Sequence, residues 1–231
     1  MHRKDELAAN LADVRGRIAV ACAASGRDPG DVTLVAVTKN FPAADVRLLA
    51  GLGVTEVAEN RDQEAGPKAA ECADLPLTWH FVGQLQTNKA RSVASYAAVV
   101  ESVDRSRLVR ALSAAAVAAG RELSCLIQVG LGEGQGRGGA SPAEVPALAT
   151  AIAVAPALEL GGIMAVAPLG ADPGPAFTRL AAIAAAVRAE HPGAVILSAG
   201  MSGDLEQAIA CGATHVRVGT ALLGGRLTNV R

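Results

Sequence analysis

Apolar and polar positions follow two repeating patterns along this chain. Short runs rich in Val, Leu and Ile predict buried β-strands, and each is followed by an Ala-rich stretch with helical spacing. Ahead of them, an amphipathic helix is predicted over residues 3–25, closed by Gly26 and a turn at residues 28–30. The predicted strands are residues 34–38, 56–58, 79–82, 97–100, 123–129, 160–166, 195–198 and 214–218.

Eight strand–helix units in succession predict an α/β fold: a single (β/α)8 TIM-type barrel with an extra N-terminal helix. No linker, internal repeat or charge block divides the chain, so residues 1–231 are predicted to form one domain. Hydrophobic residues make up 51% of the chain but aromatic residues only 2%, so the core must consist of Ala, Val, Leu and Ile. Such a core favours regular βα layers.

Charge and cysteine content argue against several classes of protein. The formal net charge is −1 and no Lys/Arg cluster is present, so no nucleic-acid or anionic membrane surface is expected. Four scattered cysteines argue against structural zinc, any other metal centre and a disulfide framework. The N-terminal segment lacks the apolar region of a signal peptide, and Pro and Gly interrupt the most apolar stretch, residues 151–171. A cytoplasmic protein with no membrane span is therefore expected.

In such a barrel the chemistry lies at the C-terminal ends of the strands, which directs attention to Lys39. Strand alternation places Val35, Val37 and Lys39 on one face. An amine beside apolar surface is partly desolvated, which favours the neutral form that Schiff-base chemistry needs. An ordinary surface lysine is the alternative. Only four of the 21 basic residues are Lys, which suggests that a primary amine is required here.

A phosphate site is predicted in the loops after the seventh and eighth strands, residues 200–203 and 219–220. Backbone N–H groups at glycines approach an anion closely, and the hydroxyls of Ser202 and Thr220 can donate to it. Ser202 has a second interpretation, as the N-cap of a helix at residues 204–211. Two such loops after the expected strands favour phosphate.

Arg217 lies in the eighth predicted strand, two residues before Gly219 and on the same face. A buried arginine needs a partner, which is either a carboxylate inside the barrel or a ligand heteroatom. His80 is interpreted as a core histidine with satisfied hydrogen bonds. The G-x-G-x-x-G pattern at residues 134–139 is interpreted as part of a mobile βα loop, since no acidic residue ends the following strand as a dinucleotide site requires.

Six stretches in order, at matching spacing, make the sequence resemble the pyridoxal phosphate homeostasis proteins, whose barrel is like the N-terminal domain of alanine racemase. The resemblance covers almost the whole chain and implies a fold-type III barrel with pyridoxal 5′-phosphate (PLP) as cofactor. The stretches are residues 35–39 (VAVTK), 59–64 (ENRDQE), 79–89 (WHFVGQLQTNK), 162–165 (GIMA), 200–202 (GMS) and 217–221 (RVGTA).

The resemblance also implies a role for each site residue. These are Lys39 as the Schiff-base lysine, Ser202, Gly219 and Thr220 around the phosphate, Arg217 near the pyridine ring and Asn60 close to the cofactor. It implies a role in PLP (vitamin B6) homeostasis and amino-acid balance without established catalysis, so no catalytic residue is assigned. PLP-dependent apo-enzymes are the expected recipients of PLP, and a monomer is expected. Three positions depart from the family pattern, namely Ala58, Ala199 and Arg137.

Two enzymatic alternatives remain open from the sequence: a single-domain PLP-dependent amino-acid racemase, and a Schiff-base aldolase without PLP. A two-base racemase needs a second base, and Tyr96, the one tyrosine of the chain, lies at the start of the predicted fourth strand, away from the site. Lys89 is either a solvated helix lysine or a transient second anchor for PLP.

Overall fold

The computed structural model describes residues 2–132, 138–168 and 170–225 of the chain. Strands and helices alternate through these residues as predicted. The strands are β1 Thr33–Val37, β2 Glu56–Glu59, β3 Thr78–Phe81, β4 Val99–Val103, β5 Leu123–Gln128, β6 Leu158–Met164, β7 Ile196–Ser198 and β8 His215–Val218. The α-helices are α1 Arg3–Ala24, α2 Ala43–Gly51, α3 Asp62–Glu71, α4 Ala90–Tyr96, α5 Ser106–Ala119, α6 Val145–Ala153, α7 Pro173–Glu190, α8 Leu205–Ala210 and α9 Thr220–Leu223.

The eight strands close into a parallel barrel in chain order, which confirms the predicted fold. Closure is made by β8, which pairs with β1 so that Ala36 lies opposite Val218. On its other side, Ala36 lies opposite Val57 of β2. The C-terminal ends of β8, β1 and β2 are therefore neighbours at the mouth of the barrel.

The extra N-terminal helix is present as α1, and it joins the beginning of the chain to its end. Its buried side chains recur at helical spacing and pack towards α8 and α9. The side chains of Asn10 and Arg3 each donate a 3.0 Å hydrogen bond to a backbone oxygen near the end of α9, those of Leu222 and Leu223 respectively. The helix thus braces the last two βα units.

The interior of the barrel is divided between apolar and polar side chains. Val99, Leu126 and Met164 form an apolar cluster inside it, whereas Glu101 and Arg217 are buried elsewhere in the interior. The predicted fourth strand, residues 97–100, stopped too early. The strand continues to Val103 because the buried polar residues at 101 and 102, which end the apolar run in sequence, lie within the sheet.

No helix in residues 2–132, 138–168 and 170–225 combines the length and apolar character that crossing a bilayer requires.

Candidate functional site

Lys39 is the second residue after β1, at the mouth of the barrel and half-buried. Its neighbour Thr38 faces outward to α3, and strand alternation therefore turns Lys39 to the inner side. Asn40, the next residue, has a left-handed backbone with φ of 67°. Its N–H points to the Glu64 carboxylate at 3.3 Å. Both neighbours of Lys39 are thus held by the second βα unit.

Behind Lys39 lies a buried ion pair that the sequence did not reveal, formed by Lys68 and Glu59 and here called the outer pair. The Lys68 ammonium donates to Glu59 Oε1 at 2.5 Å and to the Thr38 carbonyl at 2.9 Å. The Thr38 hydroxyl donates to the same carboxylate oxygen at 2.7 Å. Two of these hydrogen bonds, together with the one that the Thr38 N–H donates to the Ala58 carbonyl at 2.9 Å, tie down the residue before Lys39.

The loops after β7 and β8 meet at the mouth, and Ser202 joins them. Its hydroxyl accepts a hydrogen bond from the backbone N–H of Ala221 at 3.2 Å. The interpretation of Ser202 as an N-cap of the following helix is wrong. That helix begins at Leu205 after Asp204, and the Asp204 carboxylate accepts from the N–H of Met201 at 2.6 Å. Ser202 thus lies within the predicted phosphate site.

Gly219 brings this pair of loops against β1. A Cβ atom at residue 219 would lie 3.3 Å from the Val37 carbonyl oxygen and 3.5 Å from the Val37 Cβ. Since Val37 is two residues before Lys39, the glycine lies beside the strand end that carries the amine. Thr220 follows Gly219 as the first, exposed residue of α9.

Asn60 follows β2, next to Lys39 around the mouth, and is half-buried. Its position depends on the adjacent strand end. A Cβ at residue 83 would lie 2.0 Å from the Asn60 carbonyl oxygen, so only glycine allows the two backbones to come this close. This accounts physically for the Gly83 of the sequence motif.

Arg217 is only 4% exposed and belongs to a row of polar side chains across the barrel. Its guanidinium donates to the Ser198 hydroxyl at 2.6 Å and to the Ala165 carbonyl at 2.8 Å. The Ser198 hydroxyl in turn donates to Glu101 Oε2 at 2.6 Å. The sequence left two kinds of partner open for Arg217, a carboxylate inside the barrel or a ligand heteroatom. The structure shows a carboxylate, that of Glu101, which Arg217 reaches mainly through the Ser198 hydroxyl.

The row continues through His80 to the other end of the barrel. His80 Nδ1 lies 2.7 Å from Glu101 Oε1, and His80 Nε2 lies 2.9 Å from Glu56 Oε2. The interpretation of His80 as a satisfied core histidine is confirmed. The places of Glu101, Ser198 and Glu56 in this row were not predicted from the sequence. The five residues Glu56, His80, Glu101, Ser198 and Arg217 are called the interior chain below.

The interior chain has a defined charge pattern. Burial lowers the pKa of His80, but its hydrogen bonds to Glu101 and Glu56 outweigh this and raise the pKa to about 9. Burial raises the pKa of Glu101, but the His80 hydrogen bond and charge, with Arg217 and Ser198, hold it well below its ordinary value. Two carboxylates and two cations thus alternate, and their charges balance.

The two ends of the glycine-rich stretch are joined to each other and to β5. The Gln128 amide donates to the Gly138 carbonyl at 2.7 Å, and the N–H of Gly130 donates to the Ala140 carbonyl at 2.9 Å. These contacts close the base of the loop after β5. Residues 133–137, including Arg137 and most of the G-x-G-x-x-G pattern, lie outside the described residues.

The barrel therefore brings the six predicted site residues to one side of its mouth, at the ends of β7, β8, β1 and β2. Lys89 lies further out, on the short helical turn before α4, with its ammonium 3.7 Å from Asp62. Arg17 of α1 is a support that the sequence did not indicate. It donates to the Ser202 carbonyl at 2.9 Å and forms two hydrogen bonds with Glu206.

Comparison with known proteins agrees with this geometry. Residues 4–227 match the family model described as the alanine racemase N-terminal domain. The pyridoxal phosphate homeostasis protein of Mycobacterium tuberculosis is 45% identical over 243 residues, which cover 97% of this chain and 94% of that protein. The chain belongs to the pyridoxal phosphate homeostasis protein family. The Escherichia coli member of the family is 36% identical and is matched over 97% of its length.

Solved structures extend the comparison to three dimensions. PipY from Synechococcus elongatus PCC7942, solved with PLP bound, superposes with a TM-score of 0.81 at 36% identity, covering 94% of this chain and all of PipY. Alanine racemase from Corynebacterium glutamicum superposes with a TM-score of 0.70 at 16% identity, covering 99% of this chain but 62% of the racemase. At that identity the likeness shows only that the homeostasis family and the racemase share the barrel fold.

Proposed function

We propose that this protein binds PLP at the barrel mouth, holds it as a Schiff base on Lys39, and acts in PLP homeostasis. The observation that carries the proposal is the hydrogen bond that joins Ser202, after β7, to Ala221 in α9, after β8, beside the end of β1 and close to Lys39. Relatives named for PLP homeostasis match nearly the whole chain, and PipY has been solved with PLP bound.

The donors at the mouth fit the three chemical parts of PLP. The phosphate would accept hydrogen bonds from Ser202, Thr220 and the backbone N–H of Gly219. The Lys39 nitrogen would bond to the aldehyde carbon with loss of one water molecule. Arg217 would lie near the pyridine ring, and Asn60 close to the cofactor.

The chain's own residues then restrict what the bound group does. The outer pair holds Thr38, so that the Lys39 amine is presented to the mouth. PLP supplies an electrophilic aldehyde and an electron-withdrawing ring. Arg217 is always charged and donates only, so it keeps a facing ring nitrogen unprotonated, which weakens the ring as an electron sink. This favours holding PLP over catalysing reactions with it.

A visible absorption spectrum before and after borohydride reduction, followed by peptide mapping, tests the central proposal. A visible band should bleach on reduction, and the pyridoxyl group should map to Lys39. Lys39→Ala should abolish the covalent adduct while the protein stays folded, because the side chain lies at the mouth and not in the core. Lys4→Ala, which removes an exposed lysine of α1, is the matched control and should keep the band. A full band in Lys39→Ala would exclude Lys39 as the anchor.

Ser202→Ala tests the phosphate part of the site. The hydroxyl accepts from Ala221 and retains its own proton to donate to phosphate, so the change removes one or two hydrogen bonds, each worth about 1–3 kcal/mol to a charged acceptor. PLP should therefore bind more weakly in an absorbance titration. Ser95→Ala, which alters an exposed serine of α4, should bind PLP as the parent protein does. Equal affinity for PLP in both variants would show that Ser202 only holds Ala221 in place and does not bind the phosphate.

The racemase alternative gains no support from the structure. Tyr96 is the last residue of α4, ahead of β4, and burial raises the pKa of its hydroxyl far above the ordinary value. Incubation with each L-amino acid and chiral chromatography should show no turnover, and robust racemisation of any one would overturn the carrier role. The recipient apo-enzymes, the monomeric state and the cytoplasmic location stay predictions; transfer assays, sedimentation and cell fractionation test them.

A further inference from the structure

The interior chain is a buried polar system that the proposed roles of Lys39 and the phosphate loops do not use. Four of its five members, all except Glu56, are almost completely buried. Burying ionised groups costs free energy unless each is paired. An arrangement of this kind inside a barrel that otherwise packs Val, Leu and Met needs a physical reason.

The direction of each hydrogen bond follows from the chemistry of the groups. Arg217 can only donate, so the Ser198 oxygen accepts from it and gives its single proton to Glu101. Glu101 and Glu56 both accept from His80, so both ring nitrogens carry protons. The raised pKa of His80 agrees with this assignment. Each link therefore has one stable orientation.

The chain ends at the mouth with a guanidinium that is fixed in place. Arg217 Nη1 is 3.6 Å from Glu101 Oε2, too far for a hydrogen bond, and the Ser198 hydroxyl fills the gap. Nη2 is fixed by the Ala165 carbonyl at the end of β6. Other charged or titratable groups near the chain are His215, whose ring centre is 6.3 Å from that of His80, and Asp204, whose charge acts on Arg217.

We propose that Glu101, bridged by Ser198, is a positioning residue that fixes the Arg217 guanidinium against the nitrogen edge of the PLP ring, with His80 and Glu56 holding Glu101 from behind. The inference rests on the proposed function. It adds to the role of Arg217 a supporting role for the other four residues of the interior chain. A guanidinium fixed in this position favours ligands with a ring nitrogen, because its hydrogen bond is lost when the ring atom at that position cannot accept one.

The test compares PLP with 1-deazapyridoxal 5′-phosphate, in which a C–H group replaces the ring nitrogen. Dissociation constants for both are measured by absorbance titration of the purified full-length protein. The wild type should prefer PLP. Glu101→Gln and Ser198→Ala should each weaken PLP binding about tenfold, equivalent to 1.4 kcal/mol. Binding of the deaza compound should change much less, so that the preference falls.

The controls separate this inference from loss of structure and from failure of the proposed function. Ser113→Ala removes another buried serine hydroxyl, bonded to the Pro156 carbonyl outside the barrel, and should keep the preference for PLP. If Glu101→Gln does not fold, Ser198→Ala, which deletes one oxygen atom, decides. Equal weakening of both probes, or none, overturns the positioning role while leaving PLP binding intact. A wild type that binds neither probe overturns both proposals.

Discussion

Two buried carboxylates, Glu101 inside the barrel and Glu59 behind β2, differ in how they are hydrogen-bonded to neighbouring cations. Both are 0% exposed, and each lies close to a basic side chain. In Glu101 both oxygens accept a hydrogen bond, and its pKa is held low. In Glu59 one oxygen accepts from both Lys68 and Thr38 while Oε2 has no partner. Burial dominates there and raises the pKa of Glu59.

The comparison shows that burial alone does not set the charge state of a carboxylate in this protein. The number of donors and their distribution over the two oxygens decide it. The cations differ as well, since arginine keeps its charge whereas a buried lysine can lose its proton. The interior chain is therefore fixed in one charge state, and the outer pair is not.

The largest effect is expected when the interior chain is broken. Glu101→Ala leaves Arg217 and His80 without their shared counter-charge, and removing one partner of a buried pair costs about 3–5 kcal/mol of the free energy of unfolding. Glu59→Ala should cost less, because Lys68 can become neutral. Urea unfolding of both apo-variants measures the difference. Equal losses would mean that the two carboxylates are held alike.

A smaller effect is expected from pH, and its sign follows from His80. The folded pKa of about 9 lies above the ordinary value of 6.5, so the folded protein binds this proton more tightly than the unfolded chain. The stabilisation is complete below pH 6.5 and is lost as pH rises towards 9. Burial lowers the pKa of nearby His215, so its own effect on stability has the opposite sign, with stability rising as pH increases through its titration.

Urea unfolding at intervals between pH 6 and 9 measures this slope. Replacing His80 by Gln should flatten the slope, whereas His191→Gln, at the end of α7 and outside the barrel, should retain it. An unchanged slope in the His80 variant would show that another group carries the pH dependence.

The smallest effect is expected when the outer pair is replaced as a whole. Glu59→Leu combined with Lys68→Met removes both charges and the orphan oxygen, and such exchanges of buried pairs are often neutral or stabilising. Two hydrogen bonds to Thr38 are lost, at about 1 kcal/mol each, and the relief of the buried charges offsets them, so the free energy of unfolding should change little. A loss of unfolding free energy as large as that of Glu101→Ala would show that the outer pair stabilises the fold as strongly as the interior chain does.

Much of the fold was predictable because its signals are local. The eight apolar runs and the helix at residues 3–25 depend on hydrophobic spacing alone, and barrel closure follows from their number. The location of Lys39 and Asn60 at the mouth was predictable, because both lie within two residues of a strand end. Ser202 was ambiguous, because the N–H that it accepts from belongs to Ala221 in α9, after the next strand.

The interior chain was not predictable, because its members come from β2, β3, β4, β7 and β8. Glu101 and Ser102 looked like the end of a strand, since sequence patterns treat polar residues as exposed. Only barrel closure brings Glu101 to Ser198, which lies 97 residues later. Val103, the apolar residue that follows the two polar ones, was the one local sign that the strand continues.

The bracing of α8 and α9 by α1 has a consequence for the order in which the protein is made. Ser202 and Gly219 leave the ribosome more than 160 residues after Lys39. The contacts of Arg17 with Ser202 and of Asn10 with Leu222 span 185 and 212 residues. Such long-range contacts form late and slow folding. A nascent chain therefore carries the amine through that whole interval without the rest of the site around it, and the surface that α1 covers forms only when α8 and α9 have been made.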